Sequence, residues 1–436
     1  MTGSRHRPRA TRWLSAPIAI ALIAASLIVP ATSLAVDEPT DMVFEWNINA
    51  INAIGNAPTA TPPGLGQPPP LQPIHLAMVH GAIYDAVQSI VDDYEPYLGS
   101  LNAASNASQS AAVAAAAYGV LVGLTPPPPN AVRTSLDALY AASLARIPDA
   151  NEAAGVAVGQ AAAAAMLAAR TNDGRFGTYT FPIGTDPGEW RLVPPLNANS
   201  FAWVSLVKPF TLKSQDQFRI GPPFPLNSPE YAAEFNEVKS LGGATSTRTP
   251  EQAQLATFVS TNPVPMLNRG LREIATAKGL STSEQSRLFA MTTISTADAL
   301  ISCWENKDHW LFWRPQTAIQ QAANDGNAAT VADPSWTSLI PTPGYPDPPS
   351  GYNCVAASTV DAARAYFKTN SMTFSLTSIG PTGVTRHYKQ FSGVIKDAID
   401  GRVLVGLHFR RADEQGAWVG KKAADWATKH YFAPVD

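Results

Sequence analysis

Cysteine is almost missing from this chain: Cys303 and Cys354 are the only two in 436 residues. That is too few for a paired-cysteine zinc site. Charge is sparse, with 15% Asp, Glu, Lys and Arg, and no basic run stands out. Nucleic-acid binding therefore lacks its electrostatic signature. No HExxH, P-loop or GxSxG sequence occurs, so zinc, nucleotide and serine hydrolase readings have no support. No internal repeat recurs at a fixed period.

One long apolar run is present, at the start. MTGSRHRPRATRWLSAPIAIALIAASLIVPATSLA has a basic beginning, an apolar stretch and a small-x-small end at Ser33-Leu34-Ala35. This is the pattern of a secretory signal peptide over residues 1–35. An uncleaved anchor is the second reading. The leader has no Arg-Arg pair, which favours the general secretory route. The expected location is exported, periplasmic or extracellular. No second stretch reads convincingly as a membrane span, because the alanine-rich region from Ala111 to Ala168 is broken by TPPPPN and by charges. The leader holds Arg5, Arg7, Arg9 and Arg12 and no acids. Without these four, 27 of the 31 basic residues face 34 acidic ones, a net charge of −7.

Residues 36–436 are enough for a large core and, by length alone, for two domains. The pattern favours a single all-α helical domain. AAVAAAAYGVLVGL, NAVRTSLDALYAASLARI, EAAGVAVGQAAAAAMLAAR, AAEFNEVKSL and EQSRLFAMTTISTADALISCW have helical periodicity or composition. Proline and glycine collect between them. The stretch from Asp173 to Ser228 is rich in proline and aromatics, and reads as an ordered excursion over the helices rather than a linker.

Three motifs in the C-terminal half carry chemistry. KDHWLFWRP holds Lys307 and Arg314, seven apart. On one helix that is two turns, so both cations would leave one face, with Pro315 ending or kinking the helix. PDPPSGY places Ser350 and Gly351 before the helical run VAASTVDAARAYF. Helix N-termini bind anions, and glycine permits close approach. RVLVGLHFRRAD holds Arg402 and His408, about 120° apart on an ideal helix. They converge through arginine's length or through distortion at Gly406. Singly, these are a solvated face, a turn and a core histidine more often than a site. Together they form a pocket for a tetrahedral oxyanion with one imidazole facing its central atom.

The order K-x6-RP, PSG, R-x5-H resembles the vanadium-dependent haloperoxidase family, which shares its site with the phosphatidic-acid-phosphatase type 2 superfamily. WNINAINAIGNA and PPPLQPIHLAMVHGAIYDAVQSI are similar to the opening helices of bacterial members, so the resemblance runs from about Phe44 to the end. It implies helical bundles of the vanadium chloroperoxidase type with an anion site in the bundle core. It implies vanadate as cofactor, with phosphate fitting the same site. Lys307, Arg314, Ser350, Gly351 and Arg402 would hold the oxyanion, and His408 would be the metal ligand, or the nucleophile toward a phosphoryl group. Trp304 would wall the halide site. The implied reactants are hydrogen peroxide, a halide and a small organic acceptor. No membrane association is expected after leader removal, and an oligomer is compatible with the sequence.

Two positions depart from the family pattern. Its PSGH histidine, the acid–base group, is Tyr352 here, a poorer proton shuttle near neutral pH. Its aspartate four residues after the ligand histidine is Ala412 here, and Asp413, one residue on, is the candidate to orient His408. Gly401 stands for the usual serine before Arg402. Catalysis is thus expected from His408, Tyr352, Lys307 and Asp413, with weakened activity. A phosphomonoesterase working through phospho-His408 is the alternative, and an oxyanion-binding protein with decayed catalysis the third. His309 is a minor acid–base candidate, although a helix turns it about 160° from Lys307. His75 and His80 read as buried core residues, and His387 and His430 as surface ones. For Cys303 and Cys354, a disulfide and two separate buried thiols are equally weighted.

Overall fold

A computed structural model of the chain describes Met1 and residues 41–56, 70–125, 130–147, 150–379 and 383–435. The signal-peptide reading of residues 1–35 falls, apart from Met1, outside the described residues. Pro39–Asp436 form one unit, with thirteen α-helices among the described residues. These are α1 Met42–Asn56, α2 Leu71–Val91, α3 Gln109–Gly123, α4 Ala131–Leu144, α5 Glu152–Ala169, α6 Pro229–Leu241 and α7 Pro250–Val259. They continue with α8 Pro263–Lys278, α9 Thr282–Trp310, α10 Pro315–Gln321, α11 Gly351–Phe367, α12 Ser392–Leu404 and α13 Arg410–His430.

Local chemistry sets the helix starts. α6, α7, α8 and α10 begin with proline, where a missing N–H costs nothing. Ser281 with Glu284 and Thr249 with Gln252 make reciprocal capping boxes for α9 and α7, pairing N–H groups that the helix itself leaves free. α5 is long and apolar enough to cross a membrane by length and composition. Its apolarity has a packing use: a Cβ at Gly155 or Gly159 would overlap the backbone oxygens of Ser108 or Ala112, so α5 lies tight against α3.

The 29-residue α9 is the axis of the core, buried along most of its length and packed by α2, α11 and α13. A helix buried on all sides presents no polar face, so its polar residues must find partners. They find them in the excursion from Asp173 to Ser228. Asp298 is fully buried, and its carboxylate accepts from the N–H groups of Phe210 (2.6 Å), Thr211 (2.8 Å) and Leu212 (3.2 Å) and from the Thr211 hydroxyl (2.5 Å). Asn306 accepts from Ile220 N–H at 2.9 Å, Asp308 from the Tyr179 hydroxyl at 2.6 Å, and Glu305 pairs with Arg219. Phe181, Trp190 and Trp203 of the excursion are buried. This segment is therefore an ordered coat, bolted to α9 by four side chains.

The architecture is helical, with one addition that the helical reading did not contain. Ser371–Thr377 (β1) and Thr385–Gln390 (β2) form an antiparallel hairpin, with Phe374 stacked on Tyr388 at 5.4 Å. MTFSLT alternates in the two-residue period that suits a half-buried strand.

Asp298→Ala should lower the stability of the fold by about 3 kcal/mol or more, because three buried N–H groups lose their acceptor. The urea unfolding midpoint measures this, and Asp298→Asn, which keeps one oxygen, should fall between the variant and the wild type.

Candidate oxyanion site

Lys307 and Arg314 do meet, but not on one helix. α9 stops at Trp310, and Leu311 takes a left-handed backbone with φ 45°. Arg314 is extended and precedes Pro315, the first residue of α10. The expected two-turn helix is thus corrected: the proline ring excludes helical backbone at the residue before it. That signal lay in the sequence, since Pro315 follows Arg314 directly. Both cations are fully buried. Lys307 Nζ donates to the carbonyls of Pro346 (2.7 Å) and Pro349 (2.5 Å). Arg314 donates to Tyr345 O (2.8 Å) and Leu407 O (2.9 Å).

Ser350 caps α11 and Gly351 opens it. The Ser350 N–H is spent on Ala412 O at 2.8 Å. Gly351 is needed for a second reason besides anion approach: a Cβ there would sit 3.1 Å from the Trp304 ring. Arg402 lies in the last turn of α12, donates to Val259 O at 3.0 Å, and stacks its guanidinium on the Tyr352 ring at 5.0 Å. The chain then turns at Gly406, φ 77°, where a Cβ would overlap the Gly242 carbonyl. That turn carries His408 into the cluster, ahead of α13.

His408 is buried beside Arg314, whose Nη1 lies 3.2 Å from Nδ1 and 3.3 Å from Nε2. Its Nδ1 is 2.6 Å from Asp347 Oδ1. Asp347, not Asp413, therefore orients the imidazole. Asp413 accepts instead from Asn353 Nδ2 at 2.8 Å and stands beside Ser350. The correction has a geometric cause. Asp413 sits in the first turn of α13, which packs on α11, whereas His408 precedes that helix and faces the 345–349 loop. Asp347 lies inside the PDPPSGY motif, but reading that stretch only as non-helical concealed it.

Burial pushes the Asp413 carboxyl well above the usual range. Burial opposes ionisation of Asp347 too, but His408, Arg314 and Lys307 hold its carboxyl below the usual range. Burial lowers His408 to about 3, so the imidazole is neutral. With Asp347 ionised, the proton of that imidazole belongs on Nδ1, and Nε2 keeps a lone pair. Burial, then Arg314, lower Lys307 to about 8. Lys307 and Arg314 thus face the ionised Asp347, and Arg402 adds a third cation beside Arg314. Arg314 Nη2 and Arg402 Nε have no hydrogen-bond partner among the described residues. Buried unpaired donors on an excess of positive charge fit a tetrahedral oxyanion.

Beside this cluster opens a cleft of about 330 Å³, lined in part by Trp304, Gly351, Tyr352 and Arg402. Lys307, Arg314, Ser350, His408 and Asp413 are not among its wall residues. His309 is exposed and packs on Trp310. His75 and His80 are buried, and His387 and His430 lie at the surface. Cys303 and Cys354 are free, buried thiols in contact with each other.

Residues 287–436 match the family described as the VCPO second helical-bundle domain. That matched stretch contains every residue of the candidate site, from Trp304 to Asp413. It is 26% identical to the vanadium chloroperoxidase of Curvularia inaequalis, over 78% of this chain and 68% of that one. Its fold is similar to the crystal structure of the first bacterial vanadium-dependent iodoperoxidase, with a TM-score of 0.72 and 21% identity over 91% and 96% of the two chains. The holo-type bacterial vanadium-dependent chloroperoxidase is similar with a TM-score of 0.66 and 18% identity, over 82% and 90%. Within this vanadium haloperoxidase fold, α9, α11 and the α12–α13 turn bring the candidate side chains together.

Replacing Asp347 by alanine should weaken oxyanion binding roughly 10–100-fold, as loss of a partner that orients a ligand histidine does. Asp413→Asn should change it by no more than a few-fold, because a neutral acid and an amide are near-isosteres. Calorimetric titration with vanadate separates the two carboxyls.

Sulfate, whose charge is constant near neutrality, reads Lys307. Its affinity should fall about tenfold per pH unit above pH 8, as Lys307 loses its proton, and Lys307→Met should flatten that slope. In the anion-free protein the sign is opposite. A lysine pKa of about 8 in the fold, below the free value of roughly 10.4, means that stability rises as pH climbs between the two.

Proposed function

We propose that the protein is an exported, vanadate-dependent haloperoxidase that oxidises a halide with hydrogen peroxide. One observation carries the reading: His408 is neutral, with Nδ1 tied to Asp347 at 2.6 Å, and its Nε2, which keeps a lone pair, lies 3.3 Å from the buried Arg314 guanidinium. That arrangement would let Nε2 serve as the ligand to the central atom of a bound oxyanion. Vanadate, when bound, supplies a Lewis acid that activates peroxide without changing oxidation state.

The residues of this chain do the rest. Lys307, Arg314 and Arg402 would hold the oxygens of the anion and draw charge from them through charge-assisted hydrogen bonds. Ser350 and the Gly351 N–H complete the cradle. Asp347 prevents the imidazole from rotating and keeps the proton off Nε2. Trp304 is buried and its indole N–H has no partner, which suits a wall for the halide. Burial raises the Tyr352 phenol further above its ordinary value. It keeps its proton at neutral pH and serves as a hydrogen-bond donor rather than a shuttle.

The test compares two activities. The vanadate-loaded protein should oxidise bromide or iodide with peroxide, and the vanadate-free protein should hydrolyse p-nitrophenyl phosphate poorly. Efficient ester hydrolysis without vanadate-dependent halide oxidation would establish the phosphatase reading through phospho-His408. Neither activity, with oxyanion binding intact, would leave a binding protein. Tyr352→His should raise bromide oxidation near neutral pH by about 10²-fold, the lower end of what positioned proton transfer contributes. An unchanged rate in a folded, loaded variant would count against an acid–base vacancy at this position.

A further inference from the structure

The cleft beside the anion cluster is much larger than peroxide and a halide require. At about 330 Å³, it lies in the range of sites that enclose organic molecules, roughly 300–1,000 Å³. Val264, Leu300, Ile340, Pro343 and Leu407 give it aliphatic walls, and Trp304, Tyr345 and Tyr352 give it ring surfaces. Among the described residues no carboxylate or lysine lines it, and the one charged side chain is Arg402. Trp304 and Tyr345 pack against each other at 5.0 Å, so the aromatic wall is continuous. The Tyr352 hydroxyl makes no hydrogen bond among the described residues, although its ring is held under Arg402 at 5.0 Å.

These features select an occupant. Arg402 is the one charged side chain among the described wall residues and already donates to Val259 O, so a charged molecule would recover little of its lost hydration from the apolar remainder. Ring walls favour a planar aromatic one, which gains stacking beyond plain burial. A phenolic hydroxyl that is fixed in place but unpartnered needs an oxygen to meet, and a pure hydrocarbon would leave it unpaired. We propose that the cleft binds a neutral, electron-rich aromatic acceptor of the phenol class, its oxygen on the Tyr352 hydroxyl and its ring along Trp304 and Tyr345. Tyr352 is then a substrate-recognition residue in the place where the family pattern has an imidazole.

The inference rests on the haloperoxidase reading for its chemistry but not for its binding. Hypohalous acid, formed from halide and peroxide, would halogenate the bound ring. The ring C–H breaks as the C–X bond forms, the ring carbon is oxidised by two electrons, and the halogen is reduced from its hypohalous state. The displaced proton leaves with hydroxide as water.

Binding is tested on the vanadate-free protein with 2-naphthol, by calorimetry and by tryptophan fluorescence. Saturable one-to-one binding is expected, with cyclohexanol at least about tenfold weaker. Tyr352→Phe should weaken naphthol about five- to tenfold, the worth of one hydrogen bond. Ile340→Trp, which fills the cleft from a half-buried loop position, should weaken it tenfold or more, and Thr261→Trp, at another lining residue, provides a second filling variant should the first misfold. In the vanadate-loaded protein, bromination of a phenol should give an ortho-to-para ratio different from that of free hypobromous acid. Absence of saturable naphthol binding, binding indifferent to both filling variants, or a product ratio equal to that of the free reagent would overturn the proposal. Naphthol binding without any vanadate-dependent halide oxidation upholds the cleft and overturns only the haloperoxidase reading.

Discussion

Three buried cations sharing one cluster with an excess of positive charge over ionised carboxylate are the constraint around which the site is built. Charges taken out of water must be compensated, and a full set of acids would abolish affinity for an anion. The protein compensates with carbonyl oxygens instead. Lys307 is held by Pro346 and Pro349, Arg314 by Tyr345 and Leu407, and Arg402 by Val259. Carbonyls solvate a cation without neutralising it. The proline-rich 345–349 loop suits the task, because Pro346, Pro348 and Pro349 have no N–H of their own and offer acceptors alone.

The same helix organises the core and the chemistry. α9 runs through the interior and cannot carry unpaired polar groups, so Asp298, Glu305, Asn306 and Asp308 capture the excursion from Asp173 to Ser228. Interleaved with those anchors, it presents Trp304 and Lys307 to the anion cluster. Stability and site geometry are therefore coupled along one rigid element, which suits a site that depends on placement within fractions of an ångström.

The carboxylates divide their labour by environment. Asp347 is surrounded by cations and stays ionised, so it can fix the His408 tautomer. Asp413 is equally buried but meets an amide and a hydroxyl, and burial favours its neutral form. Chain distance from His408 pointed to Asp413, five residues on. Space selected Asp347, sixty-one residues back.

What the sequence determined by itself was the chemistry of the parts: helical periodicity, the ordered aromatic excursion, a serine and glycine at a helix start, and Lys307, Arg314, Arg402 and His408 in one ordered set of motifs. These are local properties, carried by spacing and by residue type. Tertiary structure alone decided the rest. It decided that α9 breaks at Leu311 and that Arg314 reaches the cluster from an extended residue. It paired Asp347 with His408, added the β1–β2 hairpin to the helices, and set a cleft of organic-molecule size beside Tyr352. Each of these depends on which remote backbone packs against the motif, and burial, which sets the charge of every group in the cluster, is a property of that packing and not of any short stretch of chain.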